Sequence, residues 1–131
     1  MSNDTMRAIR YNDYGGPEQL KIEQAPRPQV QPGTVLVRVK AAGVNPMDWK
    51  LRSGAYHQIM PMQFPATPGI ELAGVVEELG PGVTGLQKGQ AVYGTGQGTN
   101  AEYAVVPASA LVPKPDSVSY THLTLPTKRI V

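Results

Sequence analysis

Glycine and proline punctuate this chain densely: 14 of one and 13 of the other make about a fifth of its 131 residues, against roughly 12% in average usage. At that density, turns interrupt the backbone before long helices can form, and short strands are favoured. The clearest strand covers residues 34–40. There Val35, Val37 and Val39 alternate with Leu36, Arg38 and Lys40, the pattern of a half-buried antiparallel strand. Residues 7–11 and 20–24 flank the Gly15-Gly16-Pro17 turn and read as a hairpin, while Pro26, Pro28 and Pro32 mark an extended connector closed by Gly33. Further strands are expected over 71–79, 90–93, 101–107 and 108–112, separated by Gly80-Pro81-Gly82 and Lys88-Gly89. About six short strands with little helix argue for a mainly β fold, a small β-barrel with short helices.

One helix is legible. Ala41-Ala42-Gly43-Val44-Asn45 runs into Pro46-Met47-Asp48-Trp49-Lys50, so a strand hands over to a short helix at a corner. Asn45 suits an N-cap, Pro46 suits N1, and Asp48 suits N3, near the positive end of the helix dipole. Gly54, after Leu51-Arg52-Ser53, supplies a left-handed stop. The predicted helix is 46–53.

A chain of this length has room for one domain. Its formal charge of +2 includes Lys128 and Arg129 near the C-terminus, and residues 1–116 balance to zero. That argues against a nucleic-acid partner. No apolar run approaches the roughly 20 residues of a membrane helix, and Met1-Ser2-Asn3-Asp4-Thr5 is too polar for a secretory signal. The expected location is therefore cytoplasmic, with no membrane partner. Zero cysteines exclude disulfides and thiolate metal sites.

Five segments together carry a resemblance: Met6-Arg7-Ala8-Ile9-Arg10, Gly15-Gly16-Pro17-Glu18, the corner at 41–50, Pro68-Gly69-Ile70-Glu71-Leu72-Ala73-Gly74-Val75-Val76, and Ala101-Glu102-Tyr103. Over residues 6–116 the chain resembles the N-terminal catalytic domain of the zinc-independent quinone oxidoreductases of the medium-chain dehydrogenase/reductase superfamily. The resemblance implies a GroES-like barrel at 1–116. In the family a nucleotide-binding domain follows, and its parent enzymes transfer hydride from NADPH to a quinone, enone or related carbonyl. A homodimeric parent is compatible with it, and the isolated fragment is expected to be inactive and to bind neither zinc nor NADPH appreciably.

By the same resemblance, Asn45 lies at the nicotinamide end of the cleft, as a catalytic and cofactor-binding residue. Its alternative role is the helix cap alone, worth roughly 1 kcal/mol. Asp48 is a cofactor-binding candidate, with dipole stabilisation as the alternative. Lys50 stands where relatives often present a cofactor-contacting tyrosine, and could meet a cofactor phosphate or reach solvent. Tyr56 is the candidate proton donor, with water as the other source, and His57 beside it is either an acceptor contact or solvated. Trp49 is expected to pack.

No zinc is expected. Where the zinc branch carries a cysteine and a His-Glu pair, this chain has Asn45 and Ile70-Glu71, which cannot complete a tetrahedral site. Glu71 then reads as a strand-end carboxylate. Gly94-Thr95-Gly96-Gln97-Gly98 fails as a dinucleotide fingerprint, since Thr99 stands where the third glycine belongs and a strand follows. It is expected to be a flexible loop.

The rival reading is a non-enzymatic GroES-like binding module, because fold alone does not fix function. A co-chaperonin would need a mobile apolar loop, and the segment 15–19 is short and polar. Residues 118–127 resemble, codon for codon, the translation of a transposase sequencing adapter. Residues 117–131 are therefore expected to be a non-native tail that does not pack.

Overall fold

The computed structural model describes residues 5–119. Seven strands and one α-helix follow in the order β1 (Thr5–Arg10), β2 (Lys21–Pro26), β3 (Thr34–Ala42), α1 (Pro46–Ser53), β4 (Glu71–Leu79), β5 (Ala91–Thr95), β6 (Tyr103–Pro107) and β7 (Leu111–Pro113). Single 3₁₀ turns occupy Pro17–Gln19 and Ala108–Ala110. β1 and β2 form the expected hairpin, with Ile9 opposite Ile22. The other five strands form one antiparallel sheet in the order β6-β3-β4-β5-β7. No helix among the described residues is long and apolar enough to cross a membrane.

β-branched residues fill the core because their stiff side chains suit a pleated surface. Val35, Val37, Leu72, Val76, Val92, Ala104, Val106 and Leu111 pack as one buried cluster. The alternation over 34–40 puts Val35 and Val37 inside as expected. Leu36, expected on the polar face, is buried as well. The connector Pro26-Arg27-Pro28-Gln29-Val30 shares a groove with Leu36 and gives that face of the sheet a second cover.

A second cluster of Met6, Ala8 and Ala25 lies under the hairpin and packs against Ala101 and Tyr103. The strand expected from 101 starts instead at Tyr103, because Ala101 bridges to Ala8 and Glu102 turns to the hairpin. The Glu102 N–H donates to the Arg7 carbonyl at 3.1 Å, its carboxylate accepts the Arg7 N–H at 2.6 Å, and the Ile9 N–H donates to the Asn100 carbonyl at 3.0 Å. This short seam joins hairpin to sheet. The strand expected at 108–112 is likewise displaced, since 108–110 curl into a 3₁₀ turn before β7.

Candidate functional site

The helix at the corner forms as its capping residues dictate. Asn45 is the N-cap in an extended conformation, Pro46 opens the helix, and Gly54 ends it at φ 88°, where a side chain would be strained. Asn45 and Asp48 form a capping box. The Asn45 N–H donates to Asp48 Oδ2 at 2.8 Å, and the Gly69 N–H donates to Asp48 Oδ1 at 3.2 Å. Asp48 is 8% exposed, so both carboxylate oxygens are committed to backbone groups in a buried setting. The geometry makes Asp48 the clamp between α1 and the loop before β4.

Glu71 opens β4 on the far side of the same corner. It is buried, and the Gly43 N–H donates to its carbonyl at 3.2 Å. A side-chain carbon at Gly43 would overlap Glu71 Oε1, so the glycine lets β3 turn toward α1 over that carboxylate without displacing it.

The run after β5 also serves the corner. Gly94 and Thr95 belong to β5, and the Gly96, Gly98 and Asn100 N–H groups donate to the carbonyls of Ile70, Gly69 and Pro68 at 2.9–3.0 Å. The expectation of a flexible loop is corrected: these bonds tie the run residue by residue to the segment carrying Gly69.

Beside Asp48 opens a cleft of about 700 Å³. Met47 and Leu51 of α1 form one wall, Met60 and Met62 form the rim, and Tyr11, Ile70, Gln97 and Gly98 lie across it. Three of the chain's five methionines thus meet at one opening. Thioether side chains are polarizable and adaptable, a surface suited to planar apolar molecules. Tyr11 is 1% exposed, and burial pushes its phenol above the ordinary 10.0, with Arg52 partly opposing the rise.

Asn45, Asp48 and Lys50 share the first turns of α1. Of the four candidates only Asp48 lines the cleft, and Tyr56 is set apart from the other three, beyond Gly54 at the other end of a helix about 12 Å long. Its carbonyl accepts the Met60 N–H at 2.7 Å. Lys50 Nζ sits 5.9 Å from the Trp49 ring centroid, and Trp49, expected to pack, is 53% exposed. The helix is too short to turn a second face inward. The exposed His57 places Nδ1 2.8 Å from the Gly54 carbonyl, so the Nδ1–H tautomer caps the helix end.

The methionine rim and Tyr11 were missed from sequence. The crowding of Met47, Met60 and Met62 into 16 residues was the signal available for the rim. Among the described residues, no three His, Cys, Asp or Glu side chains converge as a metal site.

A mainly β domain with one capped helix beside an apolar cleft defines the GroES-like class. Residues 31–116 match the alcohol dehydrogenase GroES-like domain family, and the chain belongs to it. It is 39% identical to mouse quinone oxidoreductase over 120 residues, covering 88% of this chain and 35% of that protein. Among solved structures, the quinone oxidoreductase from Coxiella burnetii superimposes with TM-score 0.85 at 28% identity, over 89% of this chain and 39% of that one. Mycobacterial Rv1454c complexed with NADPH gives 0.80 at 36% identity, over 88% and 34%. The chain therefore spans about a third of the length of the curated relatives it matches.

Proposed function

We propose that residues 1–116 are the N-terminal domain of a cytoplasmic, NADPH-dependent, zinc-independent oxidoreductase acting on quinones, enones or related carbonyls. On the same reading, 117–131 is a tail foreign to that domain. The observation that supports this most is the corner itself: Asn45 is positioned by a capping box whose other member, Asp48, lines an apolar cleft, in a chain similar to quinone oxidoreductases over 88% of its length. The Gly15–Gln19 segment favours the enzyme over a binding module. It is stitched down by the Gly15 N–H donating to the Arg52 carbonyl at 2.9 Å and by its own 3₁₀ turn, so this segment is not a free loop for a partner ring.

The residues at the corner fit a nicotinamide cofactor and not zinc. Asn45 offers an amide donor and Lys50 a cation at the surface, whereas an asparagine with Ile70-Glu71 lacks the soft and imidazole ligands zinc takes. The cofactor supplies hydride when bound. This chain's part is to exclude water from the acceptor in the methionine-lined cleft, while the Asn45 amide, buried behind the cleft-lining Asp48, would have to turn outward to meet the oxygen where negative charge collects. With Asp48 committed to two backbone amides and Tyr56 set outside the cleft lining, proton delivery falls to water.

A chimera carrying residues 1–116 in place of the matching domain of a quinone oxidoreductase provides the test. NADPH oxidation with a quinone acceptor is expected. Asn45→Asp retains the cap, since the two residues cap about equally well, yet is expected to lower turnover by about 10²-fold, the scale of other preorganised donors. Equal turnover of the parent chimera and Asn45→Asp at saturating NADPH would remove Asn45 from the chemistry.

A further inference from the structure

The segment 55–65 forms the outer edge of the cleft, and its position depends on a residue from a distant part of the chain. Tyr14 lies in the hairpin turn, yet its hydroxyl accepts the Met62 N–H at 3.0 Å. Its ring meets Phe64 edge to face, with centroids 5.0 Å apart at 81°, and tilts against His57 at 6.0 Å. The same side chain rests on the helix stop: a carbon added at Gly54 would come within 3.0 Å of Tyr14 Cγ and 3.1 Å of Cβ.

The turn that carries Tyr14 is itself fixed to α1. The Gly15 N–H donates to the Arg52 carbonyl at 2.9 Å, and Arg52 Nε returns a bond to the Gly15 carbonyl at 3.3 Å. By contrast, the crest of the segment is thinly held. Ile59 and Met60 are 80% and 50% exposed, and Phe64 is 38% exposed, so burial alone does not set where the rim stands. The next backbone attachment along the chain is at Ala66, which exchanges two 2.9 Å bonds with Tyr11.

We propose that Tyr14 is a positioning residue for the acceptor: through its hydroxyl on the Met62 amide and its ring on Phe64, it holds the Met60–Met62 rim at the spacing that admits a planar apolar ring. This rests on the acceptor reading of the cleft. The chain of contact runs from α1 through Gly15 to Tyr14 and then to the rim, so Tyr14 links the two methionine walls, Met47 on the helix and Met60 with Met62 on the segment. Tyr11 also meets Phe64 edge to face, with centroids 5.9 Å apart, but the bond to the Met62 amide is Tyr14's. A phenylalanine at 14 would keep the ring contact and lose only the amide bond.

The experiment uses the full 131-residue chain labelled with ¹³C in its methionine methyl groups, titrated with duroquinone as the probe. With the unmodified chain, the Met47, Met60 and Met62 methyl resonances are expected to shift together while that of Met6, in the hairpin cluster, stays in place. In Tyr14→Phe, hydrogen exchange at the Met62 amide should accelerate about 5-fold, the loss of one ordinary hydrogen bond. Duroquinone affinity should fall by about the same factor, and the Met60 and Met62 shifts should shrink relative to that of Met47. Tyr14→Leu, which also loses the Phe64 contact, should weaken affinity further. Faster exchange at Met62 with unchanged affinity and unchanged methyl shifts would overturn the positioning role and leave Tyr14 as a structural tether. Absence of any methyl shift in the unmodified chain would overturn the acceptor reading itself, and the role of Tyr14 with it.

Discussion

Replacing Asp48 discriminates most sharply between a scaffold and a ligand-contacting role for that residue. Its carboxylate is buried, with one oxygen on the Asn45 N–H at 2.8 Å and the other on the Gly69 N–H at 3.2 Å. In Asp48→Ala both donors lose their acceptor. Loss of the cap interaction alone is worth about 1 kcal/mol, and each buried donor left unsatisfied costs about 1–3 kcal/mol. Water entering the vacated space recovers part of this, so the expected destabilisation is about 2–4 kcal/mol. Asp48→Asn has nearly the same shape but only one acceptor oxygen, and its NH₂ faces a second donor. It should lie between, at about 1–2 kcal/mol. Urea unfolding followed by Trp49 fluorescence and by far-UV circular dichroism gives both values. The order wild type, Asn, Ala is the signature of a two-oxygen clamp. An Asp48→Ala variant within about 0.5 kcal/mol of wild type, the range of ordinary surface changes, would refute the clamp and return Asp48 to the list of residues held for a ligand.

Three further outcomes are expected. Burial raises the Tyr11 phenol above 10.0, so above that pH the unfolded chain releases a proton that the folded chain keeps. Stability present below pH 10 is then lost as pH rises toward the folded value, at up to about 1.4 kcal/mol per pH unit, and Tyr11→Phe should show a shallower decline over the same window; parallel curves would contradict it. Gly94→Ala should destabilise by about 1–3 kcal/mol, because its methyl would overlap the Ala110 carbonyl on the neighbouring segment, and a variant with wild-type unfolding would show that β5 and β7 are less closely apposed. Truncation after Asp116 should leave the unfolding free energy within about 0.5 kcal/mol: the Val118 carbonyl accepts Lys114 Nζ at 2.6 Å, a local contact, and the expectation that the tail does not pack falls, for 120–131, outside the described residues.

The parts of this fold that could be read from sequence are those whose cause is local. Asn45, Pro46, Asp48 and Gly54 specify where α1 begins and ends because capping is settled within one turn of chain. The alternation at 34–40 identified the strand, but a period of two cannot tell that the segment 26–30 returns to cover Leu36. Gly94 to Gly98 suggested looseness by composition, whereas Gly96 and Gly98 donate to the carbonyls of Ile70 and Gly69, partners more than 25 residues away that no local pattern announces. Tyr11 and Tyr14 escaped notice for the same reason. Their importance comes from Phe64, Ala66 and Met62, about 50 residues further on. At the site, residue types were readable and separation was not: Asn45 and Tyr56 sit at opposite ends of one helix.

The seam between Arg7 and Glu102 has a consequence for how the domain is made. These partners are 95 residues apart, so during synthesis β1 must wait for Glu102 before this seam can close. At 5–20 residues per second, that interval is roughly 5–20 s. A two-stranded hairpin alone is marginal in water, and until Ala101 and Tyr103 arrive, Met6, Ala8 and Ala25 have nothing to pack against. Chains of this domain truncated before Ala101 should therefore carry an exposed apolar hairpin open to chaperones, and protease resistance of the hairpin should appear only in chains that include Ala101 and Tyr103.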